Sequence, residues 1–464
     1  MKKKIAAIGE KINSIFQKCP LVTIKVPKDH PLILVTASVD WEKLIEKAKE
    51  IRRKKLKMPW VGRSPHLRQL IGAVILRALK KCTLQEAMDL MRNYAPARIL
   101  CGLINEKGED SGWTPDFRTV WDFEELLGAD GVAELTADLL RLAKDFGFTD
   151  SKTLCSDTTA QEASIPYPTE VGLMHGFSKT IENILKTVKE IPKQLRDPAA
   201  VVVEKIGKKV REYRLFAKTQ ERKQKVIKSL LRLTKSLHGM AGRLSTEMKS
   251  MGAKLSAKGK RAANRLEPLL KTVTKLMPQV KYFIKHGKPT SNKIISLSHQ
   301  EVRSIVRGKS GKKVEFGLKW LVNRLRGGYV WIHIHSSLKQ QSDFDYAVQA
   351  INEHIALFGE PPKEFGFDRG AWSQPHIQQI KDKGVKRVAI APKGKAKWKV
   401  SDRCRKRMIR ERAQVEGSIG CLKRTGFNKP HTKNTQGMLK SAQRTALRLN
   451  LMNLVRDMGI AMAA

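Results

Sequence analysis

The chain has 464 residues, with 90 Lys and Arg against 44 Asp and Glu, a formal net charge of +46. That length favours two or three domains over a single core, and self-repulsion on this scale opposes compaction unless a polyanion is the usual partner, which points to nucleic acid. Anionic membrane is the rival polyanion, but the best apolar stretch, residues 70–79, is broken by Arg77 and is too short to span, so no membrane partner is expected.

The first residues, Met1-Lys2-Lys3-Lys4-Ile5, imitate the basic start of a secretory signal. Glu10, Lys11 and Lys18 interrupt any apolar core behind it, so an amphipathic helix and a cytoplasmic location are expected. Six cysteines (Cys19, Cys82, Cys101, Cys155, Cys404, Cys421) form no Cys-x-x-Cys pair, which disfavours zinc fingers and a disulfide framework. The basic run Arg52-Arg53-Lys54-Lys55-Leu56-Lys57 before Pro59 reads either as a phosphate-contacting segment or as a solvated face.

Residues 61–150 read as a helical domain. Leu67, Leu70, Ile71, Val74, Ile75, Ala78 and Leu79 recur at helical spacing. Thr83-Leu84-Gln85-Glu86 is a capping box, and Thr114-Pro115-Asp116 predicts another helix start, with Thr114 as cap. Such a domain suits either sequence reading on DNA or dimerisation.

A short apolar run then closes on Asp157 and is followed by the proline-set loop Ser164-Ile165-Pro166-Tyr167-Pro168-Thr169. Residues 179–288 carry roughly thirty Lys and Arg to about eight Asp and Glu. The apolar set Leu266, Leu269, Val273, Leu276, Val280 and Phe283 predicts the seam of an antiparallel helical hairpin. Its basic outer face fits a phosphate-tracking arm, with a purely structural insert as the alternative.

Strands are expected over 313–317 and 327–335, the second carrying His333 and His335 on one face, in either packing or metal-binding roles. A helix over 346–358, a strand closing on Asp368, a helix over 374–383 and a strand over 385–391 follow, and helices end the chain, one of them over 447–458. This alternation describes an α/β fold with a mixed sheet flanked by helices. Gly308-Lys309-Ser310 imitates the end of a phosphate-binding loop, but Arg303 stands where its first glycine belongs, so no nucleotide cofactor is expected. Trp372 and Trp398 lie near the acids, for packing or for stacking on an unpaired base.

Asp157 and Asp368, each closing a predicted strand, and Glu416 on a basic helix can converge on a pair of divalent metals, the arrangement that two-metal phosphoryl transfer requires. Mg²⁺ is expected, with Mn²⁺ as a substitute. Arg412, Glu416 and Lys423 share one helix face, and the two cations would grip phosphates flanking a cut. Glu411 competes for the third position but lies off the face of Arg412.

These residues resemble those of bacterial insertion-sequence transposases of the Asp-Asp-Glu type, over nearly the whole chain. Residues 154–174, with their Tyr167-Pro168-Thr169 turn, resemble the first-aspartate segment, and Gly366-Phe367-Asp368-Arg369-Gly370-Ala371-Trp372-Ser373 the second. Arg412, Glu416 and Lys423 match three members of the Tyr-Arg-Glu-Lys signature of one large group, with Ile409 at the tyrosine position. Gly62-Arg63-Ser64-Pro65 and Pro115-Asp116-Phe117-Arg118-Thr119 are similar to the N-terminal domain of such enzymes.

The resemblance implies an RNase H-like catalytic fold with the first aspartate on the central strand. It implies cleavage at terminal inverted repeats followed by joining to target DNA, without a covalent protein–DNA intermediate. Asp157, Asp368 and Glu416 would be metal ligands, and Arg412 and Lys423 contacts to transposon-end phosphates. Double-stranded DNA and a second copy of the chain, as a homodimer, are the implied partners, in a nucleoid-associated location. In the best-known relatives the large insertion follows the second acid, whereas here it follows the first. Expected domains are a basic helical segment (1–60), a helical domain (61–150), an RNase H-like domain (151–178 and 289–464) and the basic helical-hairpin insertion (179–288). A catalytically inactive sequence-specific DNA-binding protein and a structure-specific nuclease of the same fold are the alternatives.

Overall fold

The structure, a computed structural model, describes residues 26–56, 66–104, 111, 113, 116–306, 314–334, 342–394, 397–432 and 434–463. The expected helix at the extreme N-terminus, Cys19, the motif Gly62 to Pro65, the proposed Thr114 cap, residues 308–310 and His335 lie outside the described residues. The chain divides into two compact units, one of residues up to Thr149 together with Leu447–Ala464, the other Asp150–Ala446.

The first unit is all-helical. Helices α1 (Pro31–Ser38), α2 (Trp41–Leu56), α3 (Leu67–Lys80), α4 (Leu84–Asn93), α5 (Ala95–Leu100) and α6 (Phe117–Asp145) share one apolar core. The α3 residues at helical spacing are buried in it, as their periodicity predicts. The basic N-terminal segment does not stand apart: Leu32, Val35, Leu44 and Ala48 enter this same core, as do Leu447, Leu451 and Leu454 of the last helix (Thr435–Ala463). Thr83 and Glu86 form the expected capping box at α4. Helix α6 is capped by Asp116, whose Oδ1 accepts the amides of Arg118 and Thr119 at 2.6 and 3.0 Å.

The second unit joins a mixed six-stranded sheet to a helical bundle. Strand β1 (Thr153–Glu162) leads into α7 (Glu170–Thr187), α8 (Lys193–Leu215), α9 (Gln220–Met251) and α10 (Ala257–His286). The stretch expected as one hairpin is thus four helices around a continuous core, with Leu266, Leu269, Val273, Leu276 and Val280 buried as predicted. The signals for the extra breaks are Pro192, which precedes α8, and Thr219, whose side chain accepts the Arg222 amide at the start of α9.

After the bundle come β2 (Arg303–Val306), β3 (Val314–Leu325), β4 (Val330–Ile334), α11 (Asp343–Phe358), β5 (Glu364–Phe367), α12 (Gln374–Asp382), β6 (Arg387–Ile390) and α13 (Asp402–Leu422). The sheet order is β2-β3-β1-β5-β6, with β4 also paired to β3. Strand β1 is antiparallel to β3 and parallel to β5, and β5 is parallel to β6, so β1 is central. Strand β2 was not anticipated, and β3 runs eight residues past the expected end at Gly317. No helix among the described residues is long and apolar enough to cross a membrane.

Candidate active site

Register brings the two aspartates together. Leu154 pairs with Phe365 and Cys155 with Gly366 across the parallel β1–β5 ladder. Continued two residues further, the same register sets Asp157 level with Asp368. Side chains alternate along a strand, so Asp157 shares a face with Cys155, and Asp368 follows Gly366 in the same sense. Asp368 stands immediately after β5, as expected. Asp157 does not end its strand: β1 continues five residues beyond it, antiparallel to β3, where Asp157 faces Val322.

Helix α13 lies over this strand pair. A Cβ on Gly366 would sit 3.1 Å from both Cys155 Sγ and Met408 Cε, so the glycine lets the helix approach closely. Below Met408, Arg407 pairs with the buried Glu364, which also accepts from Arg387 Nε at 2.6 Å. One turn beyond Met408 is Arg412, and one turn beyond that is Glu416. Arg412 Nη1 donates to Asp368 Oδ1 at 2.6 Å and Nη2 to Glu416 Oε1 at 3.2 Å. Glu411 turns instead toward β3, where Arg324 Nη1 donates to it at 2.8 Å. The helix is therefore tied to strands on both sides of Asp157. Lys423 caps its C-terminus, where the chain makes a wider π-type turn over Lys423–Phe427.

The acids have unlike surroundings. Burial pushes the Asp157 carboxyl up to about 6, against the Thr158 amide that donates to its Oδ1 at 2.6 Å; Asp368 and Asp343 add to the rise and Arg412 opposes it. For Asp368 burial also pushes upward, but the Arg412 hydrogen bond and the amides of Arg369 and Gly370 outweigh it and hold the carboxyl below its ordinary value. Glu416 is the most exposed, at 64 % of its side chain.

Asp343 is the site residue that sequence reasoning missed. It lies in the first turn of α11, approaching from the other face of the sheet. Lys319 Nζ donates to its Oδ1 at 2.8 Å, and Thr158 Oγ1 lies 3.4 Å from the same oxygen. Its Oδ2 would be 2.7 Å from a Cβ on Gly370, two residues after Asp368. The available signal was the capping box that Ser342 and Asp345 form, which starts the helix three residues before the expected Tyr346.

The chain matches no family model, no curated protein and no solved structure in the comparisons made. The donor set of the site is carboxylate oxygen throughout, which suits a hard cation such as Mg²⁺. A cation already links two of the acids, since the Arg412 guanidinium bridges Asp368 and Glu416. Among the described residues no three His, Cys, Asp or Glu side chains stand in a metal-holding group, and Glu416 is engaged by Arg412 instead. The donors fit the ion in kind. His333 Nδ1 lies 3.1 Å from Glu353 Oε1, away from these acids in sequence and on its own partner.

Proposed function

We propose that the protein is a DNA transposase of RNase H-like fold that cuts at the ends of its element and joins them to target DNA. The observation that carries this reading is the register that sets Asp157, on the central strand, level with Asp368 beneath a helix bearing Glu416. Asp157, Asp368 and Glu416 would hold Mg²⁺, or Mn²⁺ in its place. When bound, the metal supplies positive charge for the attacking and leaving oxygens of a phosphodiester. The protein's own part is to hold the acids on rigid elements, Asp157 within a strand paired on both sides and Glu416 on a helix tied down by Glu364 and Arg324. Arg412 and Lys423, before and after Glu416, would contact phosphates of the element ends, and two copies of the chain would pair those ends. The formal charge of +46 supports a duplex DNA partner.

The test is incubation of the protein with a supercoiled plasmid carrying its coding region and flanks, with Mg²⁺ or Mn²⁺. Asp157→Asn and Glu416→Gln proteins run alongside. Cuts at the flanks that vanish in both variants and with chelator, together with joined products, are expected. Cuts without joining indicate a structure-specific nuclease, and binding without any cut indicates a DNA-binding protein without catalysis.

A further inference from the structure

We infer that one outer face of the helical bundle is a second, sequence-independent contact for the backbone of duplex DNA, built along α9. Lys225, Lys228, Arg232, Lys235 and Arg243 are all exposed. Their steps of three, four, three and eight residues place them in one stripe. The apolar residues Ile227, Leu230, Leu237, Ala241 and Leu244 occupy the opposite side and are buried in the bundle. One face of the helix thus seals the bundle and the other is a row of cations.

Two observations separate this stripe from an ordinary solvated face. Part of the cationic surface on the neighbouring helices is neutralised locally, Lys186 by Glu182 at 2.7 Å, Lys208 by Glu204 at 2.8 Å and Lys209 by Glu212 at 2.6 Å. None of the five stripe residues has an ion-pair partner among the described residues, so their charge stays available to an outside anion. Gly239 and Gly242 interrupt the same side of the helix, and no atom lies within 4 Å of where their Cβ atoms would be. A glycine inside a helix costs roughly 0.5–1 kcal/mol relative to alanine, and packing within the protein gives no return for either. A bare helix surface between Lys235 and Arg243 leaves room for a ribbon of phosphates to approach.

The dimensions agree with the partner. From Lys225 to Arg243 the stripe is about 27 Å long at about 1.5 Å per residue, while duplex DNA carries one negative charge per about 1.7 Å of its axis. The contact is made to phosphates and carries no sequence preference. It rests on charge and spacing alone, and stands whether or not the carboxylate site cuts DNA.

The test measures binding of the full chain to a blunt duplex of arbitrary sequence, by fluorescence anisotropy over a salt series with chelator present. One variant carries Lys225→Gln, Lys228→Gln, Arg232→Gln and Lys235→Gln. A control of equal charge change carries Lys152→Gln, Lys363→Gln, Lys383→Gln and Lys386→Gln, at the end of the sheet away from Asp368. Helix content by circular dichroism verifies that both fold. The stripe variant is expected to lose affinity, and the slope of log K against log salt to fall in magnitude by up to about 3.6, at about 0.9 per phosphate contact. The control should keep the wild-type slope. Equal losses in both variants, or none in the stripe variant, overturn the inference. Loss of binding to anionic phospholipid vesicles with duplex binding intact also overturns it, and assigns the stripe to membrane. Because chelator removes metal-dependent cutting, failure here leaves the transposase reading to its own assay.

Discussion

The Arg412 guanidinium joins Asp368 and Glu416, at 2.6 Å through Nη1 and 3.2 Å through Nη2, so that one side chain holds two of the three proposed metal ligands. A guanidinium so placed plays two opposed parts. It gathers the acids, and it occupies the position where a divalent ion would draw on the same oxygens. The pair is partly exposed, with 33 % of the Arg412 side chain and 46 % of Asp368 accessible, which limits its contribution to stability. Replacing Arg412 with Gln removes the competing charge. The expected result is Mn²⁺ binding tighter by roughly thirtyfold, the equivalent of about 2 kcal/mol for a unit charge against a divalent ion at about 4 Å in a well-solvated site. DNA cleavage should fall at the same time, because the phosphate contact is lost. Calorimetric titration of both proteins decides the first point, and weaker Mn²⁺ binding in the variant would show that gathering outweighs competition.

Asp157 gives the site a pH signature. Its carboxyl is raised from 3.8 to about 6 in the folded chain, mainly by burial. The native state therefore binds the proton more tightly than the unfolded state does. The contribution to stability is fully present below about pH 4 and is lost as pH rises through about 6. Above that the ionised carboxylate is a net burden on the metal-free fold. Asp157→Asn removes the burden, so the variant should be more stable than the parent at pH 7.5 by about 1–3 kcal/mol, with the difference vanishing near pH 4. Urea unfolding in chelator at both pH values measures this. Equal stability at pH 7.5 would mean that Asp157 ionises without cost.

Asp343 adds negative charge to the same cluster through the Gly370 turn. Asp343→Asn should lower the titration midpoint of Asp157 from about 6, since Asp343 is one of the groups that raise it. Lys319 keeps a place over the Tyr346 ring at 4.8 Å, so the variant should fold, with a loss of no more than about 1 kcal/mol for a partly exposed pair. Gly370→Ala attacks the same contact sterically, because its Cβ would meet Asp343 Oδ2 at 2.7 Å. Carboxyl NMR titration reads both variants. An unmoved Asp157 midpoint in Asp343→Asn would remove Asp343 from the site.

The parts of the fold legible in the sequence were those where one face is wet. The α3 periodicity, the Thr83 capping box and the strand ending at Asp368 all follow from local pattern. What was not legible lay in the middle of the sheet. Residues 158–162 read as the loop after a strand because they are polar, yet Thr159 and Gln161 are buried within β1. A strand covered on both faces loses the alternation that identifies it, and here Gln161 and Ser156 find protein partners rather than water. Gln161 Nε2 donates to the Met438 carbonyl at 3.0 Å, and Ser156 Oγ donates to Asn323 Oδ1 at 2.6 Å. The four-helix bundle was misread for a different reason. Its seam repeats at the same spacing in every helix, so periodicity identifies helices without counting them, and Pro192, Thr219 and Ser256 are what mark the three breaks.

Trp320 ties the buried half of β1 to the chain beyond α13. It is among the largest fully buried side chains, lies on β3 opposite Thr159, and donates from Nε1 to Gln161 Oε1 at 3.0 Å. Phe427, at the end of the π-type turn that begins with Lys423, packs edge-on against its ring with centroids 5.9 Å apart. Truncation to alanine removes the ring, opens a cavity and leaves Gln161 Oε1 without its donor. The first two effects alone cost about 3–5 kcal/mol, and the unpaired amide oxygen adds about 1–3 kcal/mol. Trp320→Phe retains most of the packing and loses only the hydrogen bond, so its loss should be confined to that smaller figure plus a modest volume term. Because Phe427 and Lys423 share one turn, Trp320→Phe should disturb cleavage less than stability, whereas Trp320→Ala should lower both. Thermal unfolding and the plasmid assay on the two variants check this ordering, and equal destabilisation by Phe and Ala would assign the site's rigidity to the hydrogen bond instead of the ring.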